Sequence, residues 1–555
     1  MEPEEPEERL QQRTLRKLDC ILLPCLAALF LFNALDKANI GNAESAHFSH
    51  DVGLKQSDVN TAVALFFVFF VALQPLGAVL GRRHGMRAFV PTCMFLWGLS
   101  TALHAWVRHR WQLFALRILI GCLEAGFYPV TVTYLSLFYT RFEFGRRLSL
   151  FYGQAAVGAA LGGLISWAVF SRFRDHGQPT TTTRRPWQVL FLLEGTLTML
   201  FAVSAYFLLP HNVESAWFLS PQERHYASSR VLQDRHVQNV RPAFSYHPND
   251  CEQEDDQESR GLLSHPVNAP SGARHHASLD DRGVSAADVF SAVFSIKIWH
   301  LLACNILSAI PVYAFSVFLP LVLAPLTKNS NPALVNLLTA PPHVCGAVVL
   351  YFFARYSDLH RIRLLPILCG LAIVVVGLTL VVILPTSWAI ARYLALNILL
   401  SGTYIASPLT VAWISGNTPS PGKRAILLGI NGWGNIAGVI AAILYQPVYA
   451  DSGYIVPFWW TLCSVAVSAV GYMVFLKSLQ WENTTRKIIM SSWNQDAIEL
   501  EKNQGRGPRA LDHGWATSLA DAARSAKLSS LADRLEYIAQ DGRQGDERLT
   551  FVYGL

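Results

Sequence analysis

Charged residues are scarce in this sequence. Asp, Glu, Lys and Arg make up 15% of its 555 residues, against about 25% in soluble proteins, while 52% are hydrophobic and the mean hydropathy is +0.29. That balance excludes an ordinary soluble protein and leaves a membrane protein. A CxxC pair is also missing. Of nine cysteines, eight (Cys20, Cys25, Cys93, Cys122, Cys304, Cys345, Cys369 and Cys463) lie in or beside apolar segments, so neither a metal site nor a disulfide framework is indicated. No basic stripe with interleaved aromatics appears, and the net charge of +6 therefore implies no nucleic-acid partner. No catalytic constellation gathers at one membrane face and no cofactor is expected, so an enzyme is the disfavoured class. A separate secretory signal is lacking too: "MEPEEPEERLQQRTLRKL" (1–18) is acidic and then basic without an apolar core, so the first helix is expected to be its own insertion signal.

What the chain does have is apolar runs of about 20 residues, the length that crosses a bilayer. They fall at 19–41, 59–81, 88–107, 111–138, 148–170 and 187–209, and again at 298–323, 333–354, 364–385, 388–415, 425–448 and 456–477. The predicted fold class is thus an all-α polytopic membrane protein with twelve transmembrane helices in two six-helix halves. The expected organisation is a cytoplasmic N-terminal segment (1–18), a first bundle (19–210), a largely disordered central loop (211–296), a second bundle (297–478) and a cytoplasmic tail (479–555). Lys and Arg in the short loops number fifteen against eight in favour of cytoplasmic termini, with Arg172 to Arg185 against the trend. The central loop, with "NDCEQEDDQESR" (249–260), has too few apolar residues for a core. Its Glu258, Leu262 and Leu263 form an acidic dileucine pattern of the kind that trafficking adaptors read. In the tail, 517–540 has helical apolar spacing that fits an amphipathic surface helix.

The two halves echo each other, as in transporters built from repeats. "GRRHGMR" (81–87) joins the second and third helices, and "RYSDLHRIR" (355–363) joins the corresponding pair of the second half. The fifth and eleventh helices both carry a small-xxx-small frame, Gly158 to Gly162 and Gly434 to Gly438, which lets helix backbones approach closely in lipid.

Ionisable groups at membrane depth are few, and such groups mark substrate or ion pathways. They are Asp36 and Lys37 in the first helix, Arg117 and Glu124 in the fourth, Glu194 in the sixth, His343 in the eighth and Arg392 in the tenth. Arg117 and Glu124, seven residues apart, share a helix face about 10 Å apart along the axis. A chain of alternating charge, Asp36, Lys37, Glu124 and Arg117, is expected to line one inner wall of the first half; structural ion pairs are the alternative. His343 follows Pro341 and Pro342 in "LLTAPPHVCG", where an interrupted helix is expected to expose backbone carbonyls. Asn305, Asn336, Asn397, Asn431 and Asn435 line the second half or serve interhelical hydrogen bonds.

"LDKANIGNA" (35–43), "RILIGCLEAGFYPVTVTYLSLFYTRFEFGRR" (117–147), "WQVLFLLEGTLTMLFAVSAYFLLP" (187–210), "LLTAPPHVCG" (337–346), "ARYLALNILLSGTYIASPLTVAWISGNTPSPGKRA" (391–425) and "GNIAGVIAAILYQPVYADSGY" (434–454) occur in this order. In these pieces the chain resembles the major facilitator superfamily, and within it the anion:cation symporter family in its fungal allantoate, nicotinate and pantothenate permease branch. The resemblance implies the major facilitator fold and proton-coupled import of a small organic anion, a vitamin-, ureide- or amino-acid-like carboxylate, by alternating access. It implies proton coupling at Asp36 and Glu124, substrate binding at Lys37, Asn39, Arg117, His343, Arg392 and Asn431, and gating at Arg82, Arg83, Asp358 and Arg361. Three residues depart from the family pattern. Lys37 replaces an Arg, keeping the charge but losing the planar fork; Val130 replaces a Gly; and Arg82 stands where an Asp is common, while the second half keeps Asp358. The expected partners are the organic anion, protons, the lipid bilayer and, through the central loop, trafficking adaptors. The expected location is the plasma membrane, with vacuolar or endosomal membranes as alternatives. The rival function is a nutrient sensor of the same fold that binds without transporting.

Overall fold

The computed structural model describes residues 7–139, 141–173, 184–236, 286–327, 331–504 and 545–555, with residues 508, 521 and 524 between the last two stretches. Among the described residues, eleven helices are long and apolar enough to span a membrane. A bent pair, Gln56–Ala72 with Gln74–Gly81 at 51°, makes a twelfth. In chain order the spans are Arg9–Ser45, the bent pair, Met86–Trp106, Arg110–Leu135, Phe151–Arg172 and Pro186–Leu208. The second six are Ile296–Leu326, Pro332–His360, Leu364–Ile383, Ala389–Asn417, Gly422–Leu444 and Ile455–Ser491. Large apolar side chains such as Leu200, Ile383, Ile390 and Val467 remain exposed on the outside of the bundle, where a bilayer would cover them.

Several spans are broken, and irregular backbone at membrane depth is tolerated where it is buried in protein or lines a cavity. The fourth pauses at Ala125–Gly126, within "EAGF", and the tenth at Tyr404–Ile405, the matching place in the second half. The eleventh tightens into a 3₁₀ turn at Trp433–Ile436 inside "GWGNIAG". The eighth, by contrast, is one continuous helix over Pro332–His360, which corrects the expected interruption at Pro341–Pro342. Proline removes the backbone hydrogen bond to the carbonyl four residues earlier. For Pro342 that carbonyl belongs to Leu338, and the Tyr393 hydroxyl of the tenth span donates to it at 3.1 Å. The span begins on Asn331, whose side chain accepts from the Ala333 N–H, with Pro332 at the first helical position.

The halves meet mainly along their first, second, fifth, seventh, eighth, tenth and eleventh spans. At Gly41 the first span lies so close to Val317 of the seventh that any side chain would strike the Val317 carbonyl. At the ends read from the loops as extracellular, hydrogen bonds tie one half to the other. Asn60 donates to the carbonyls of Ala442 and Tyr445, at 2.9 and 2.8 Å, and Asn336 donates to the Ser45 hydroxyl at 2.7 Å. Ala442 and Tyr445 sit at the C-terminal end of the eleventh span, whose last carbonyls lack helical partners. At this end one half thus places a hydrogen-bonding cap on a helix of the other.

Two polar segments hold more structure than their composition announces. Within 211–296 the chain forms helices over Pro221–His236 and Ala286–Val293, while the stretch with the dileucine pattern lies outside the described residues. The first of these helices starts on a capping box: the Ser220 N–H donates to Glu223, and the Glu223 N–H donates back to the Ser220 hydroxyl. Glu223 also anchors the N-terminal helix Glu7–Lys17 through Lys17 at 2.7 Å and Arg13 at 3.3 Å. In the tail, the amphipathic stretch 517–540 falls almost wholly outside the described residues, but 545–555 docks on the second half at the ends that the loops assign to the cytoplasm. Tyr553 and Asn483 exchange two hydrogen bonds of 3.0 Å, backbone to side-chain amide, and the Tyr553 ring lies under Lys297 and Arg486.

Candidate functional site

Between the halves lies a cavity of about 130 Å³. The first half contributes Phe30, Asn33, Lys37, Phe67, Phe70, Phe127, Tyr128 and Tyr152. The second contributes Asn305, Tyr313, Ser316, Tyr404, Asn431 and Asn435. Among the described residues lining it only Lys37 is charged; the rest offer aromatic faces, hydroxyls and amides, a surface suited to a small, partly apolar ligand. The broken segments of the tenth and eleventh spans, at Tyr404 and at Gly432–Asn435, border this space.

Lys37 is held rather than loose. Its ammonium donates to Asn33 Oδ1 at 2.7 Å, lies 3.5 Å from Glu124 Oε2 and sits 4.8 Å above the Phe70 ring. Asn33, one helical turn earlier, donates its own N–H to Glu124 Oε2 at 2.7 Å, so acid, amide and cation form a closed triangle. The Lys37 side chain keeps 17% of its surface exposed while that of Glu124 keeps none. The cation thus faces the cavity with the acid behind it.

Asp36 does not join that wall, which corrects the expected single row of charges. Adjacent helical residues diverge by about 100°, so when Lys37 faces the cavity Asp36 points into the first half, among the third, fourth and sixth spans. There it is fully enclosed with Arg117, Thr101, Trp97 and Glu194. Arg117 donates to Asn39 Oδ1 at 3.1 Å. Of the four charges Asp36 is thus turned away, Glu124 lies directly behind Lys37, and Arg117 lines with Lys37 a small pocket beside Ile40, Val63 and Val317.

In the second half, Asn431 lines the cavity and receives a hydrogen bond from Asn305 at 3.3 Å, while Asn435 accepts one from the Tyr313 hydroxyl. His343 is buried one residue back, hydrogen-bonded at 2.8 Å to the Tyr404 hydroxyl that borders the space. Arg392 is not at the cavity: it donates to the Gly453 carbonyl at 3.2 Å, near the outer end of its span. Of the gating set, Asp358 pairs with Arg363, and Arg361 is the left-handed residue that ends its helix. Arg83 is exposed, and the Arg82 side chain lies outside those described. Asn33, His104 and the aromatic lining were not singled out from sequence. Asn33 had a usable signal, since it lies four residues before Lys37 and so on the same helix face.

Residues 26–442 match the family model described as Major Facilitator Superfamily. The chain belongs to that superfamily. Within it, the chain is 26% identical over 495 residues to the high-affinity nicotinic acid transporter of Saccharomyces cerevisiae, covering 88% of this chain and 82% of that protein. It is 29% identical over 442 residues to the major facilitator-type transporter hxnP of Emericella nidulans, covering 78% and 79%. Among solved structures, the partially occluded inward-open form of the xylose transporter XylE from E. coli superposes with a TM-score of 0.57. At 13% identity, over 82% of this chain and 96% of that one, the likeness is one of fold. The protein is a multi-pass membrane transporter of the major facilitator fold, with fungal relatives, and not an enzyme.

Proposed function

We propose that this transporter imports a small organic anion, of the vitamin-, ureide- or amino-acid-like carboxylate class, together with protons and by alternating access. The observation that carries the reading is Lys37 on the cavity wall with Glu124 paired directly behind it. A carboxylate entering beside Phe70 competes with Glu124 for the Lys37 ammonium. Glu124, fully enclosed and losing its counter-charge, is then favoured in its protonated form. Anion arrival and proton uptake become one event, and release of the anion on the far side returns Lys37 to Glu124 and expels the proton. The aromatic walls supply apolar contact for the body of the ligand. The name of the S. cerevisiae relative adds weight to pyridine carboxylates as first candidates.

The test is uptake of labelled nicotinate and a panel of other monocarboxylates into proteoliposomes under an imposed inward proton gradient. At least one anion is expected to accumulate, and a protonophore to abolish the accumulation. Lys37→Ala is expected to lose uptake, and Lys37→Arg to retain part of it. Normal uptake in Lys37→Ala refutes the anion-binding role. Binding without counterflow in the unmodified protein would favour a sensor.

A further inference from the structure

Asn33 stands between the cation and the acid of the cavity wall, and both ends of its carboxamide are in use. Oδ1 accepts from the Lys37 ammonium at 2.7 Å and the Nδ2 N–H donates to Glu124 Oε2 at 2.7 Å, while the direct approach of Lys37 to Glu124 is longer, at 3.5 Å. These partners fix which end is which. An ammonium has only N–H groups to give and an ionised carboxylate only accepts, so the reversed amide would set N–H against N–H and oxygen against oxygen. Asn33 is 2% exposed and lines the cavity. An end that loses its partner must therefore find another within the site.

The titratable and charged groups around this amide are few. The first span brings Lys37 and, turned away from the cavity, Asp36; the fourth brings Glu124 and Arg117; the third and sixth set His104 and Glu194 by Arg117. Across the cavity the second half offers hydroxyls and amides, such as Tyr313, Tyr404 and Asn431, and no charge among the described residues. Of these groups Lys37 and Glu124 are the two hydrogen-bonded to Asn33. An amide has one accepting end and one donating end, so it suits two of the four states of the site. With Lys37 free and Glu124 ionised, it sits as found. With an anion on Lys37 and a proton on Glu124 Oε2, a half-turn about Cβ–Cγ satisfies both ends again: Oδ1 accepts the Glu124 O–H, and Nδ2 donates to the anion. Neither orientation meets the mixed states. An anion beside ionised Glu124 calls for a donor at both ends, and free Lys37 beside protonated Glu124 calls for an acceptor at both. A proton on Oε1 would escape this only by giving up a hydrogen bond, since that enclosed oxygen has no partner.

We propose that Asn33 is the coupling residue of the transport cycle, a positioning residue whose carboxamide reverses when an anion and a proton arrive together and which disfavours the states that hold only one of them. The inference rests on the proton-symport reading above and goes beyond it. Lys37 and Glu124 by themselves bias the site toward joint loading; the two-ended amide between them sets the ratio at one proton per anion. The proton comes from the water that enters with the anion, stays on Glu124 Oε2, and leaves when the returning ammonium turns the amide back.

Binding of labelled nicotinate to the purified full chain at a series of pH values counts the protons taken up with it and needs no transport. In the unmodified protein the Kd is expected to rise about tenfold per pH unit across the neutral range, the slope of one proton per anion. In Asn33→Leu, which lacks both polar ends, the rise is expected to fall below about threefold per unit, less than half a proton per anion. Asn33→Ala should behave in the same way. In proteoliposomes the ratio of proton to nicotinate flux, in which differences of rate cancel, should fall below half its value in the unmodified protein for both variants. A slope and a flux ratio that stay at the unmodified values in both variants overturn the proposal. Loss of nicotinate binding in both also overturns it, since Asn33 then holds the anion rather than counting the proton. A flat slope in the unmodified protein refutes the symport reading itself, whereas a steep slope there and in both variants refutes the role of Asn33 alone.

Discussion

Replacing Asn60 with Leu should open the outer side of the transporter. The substitution nearly keeps the volume but removes the two N–H groups that Asn60 directs at the Ala442 and Tyr445 carbonyls. In the outer-closed form the Tyr445 carbonyl then loses the Asn60 donor and the Ala442 carbonyl keeps only the long 3.4 Å bond from Gln446 Nε2, whereas in an outward-open form water reaches both. Interhelical hydrogen bonds in membranes average about 0.6 kcal/mol and reach about 1.7 kcal/mol, so losing two should disfavour closure by about 1–2 kcal/mol. At tenfold per 1.4 kcal/mol, the closed-to-open ratio falls about 5- to 30-fold. Spin labels at Lys55 and Ser452, both exposed at the outer ends, report the change by double electron–electron resonance in a chain freed of its native cysteines. A longer-distance population is expected to grow by that factor. A ratio that moves less than twofold would show that the Asn60 cap does not hold the outer side shut.

Arg486→Ala should release the docked segment 545–555. The guanidinium donates to the carbonyls of Asp546, Arg548 and Phe551 and to Glu482, and removing such a partly buried charged hub costs about 3–5 kcal/mol locally. Hydrogen exchange across 545–555 should rise toward that of a free peptide while exchange in the spanning helices is unchanged. At Glu223 the burial that would raise the carboxyl pKa is outweighed by Lys17 and by the Ser220 backbone and hydroxyl groups, leaving it below the usual value. Because the folded pKa is depressed, the anchor between Pro221–His236 and Glu7–Lys17 is fully present above about pH 4.3 and fades as pH falls further. Exchange in residues 221–230 should accelerate over that acid range, and Glu223→Gln should show the faster exchange already at neutral pH.

The twelve spans were legible in the sequence because a bilayer imposes one length and one chemistry on every crossing. Most of them lie within a few residues of the apolar runs, but the first span begins at Arg9, ten residues before its run, and the last helix continues to Ser491 through residues too polar to register as a span. Charged residues inside spans were equally visible, and Lys37 and Glu124 were two of the four, with Asp36 and Arg117, that were expected to line one wall. What sequence did not show was which way each side chain points. Asp36 and Lys37 are neighbours in the chain but face different compartments, and Arg392, equally conspicuous, caps a loop carbonyl far from the cavity. Sequence likewise did not show that Glu194 would be buried inside the first half. The continuous eighth helix has a similar origin, since nothing in "LLTAPPHVCG" announces that Tyr393 will satisfy a carbonyl freed by proline. The capping box Ser220–Glu223 was readable in principle, but the polar composition around it masked a short helix.

The account depends most on Glu124 taking a proton when an anion takes Lys37. Recording proton movement and labelled nicotinate together in proteoliposomes, for the unmodified protein and for Glu124→Gln, measures this directly. A nicotinate gradient should drive protons in the same direction through the unmodified protein, while Glu124→Gln should exchange nicotinate and move no protons. Coupled proton flow that persists in Glu124→Gln would contradict the account.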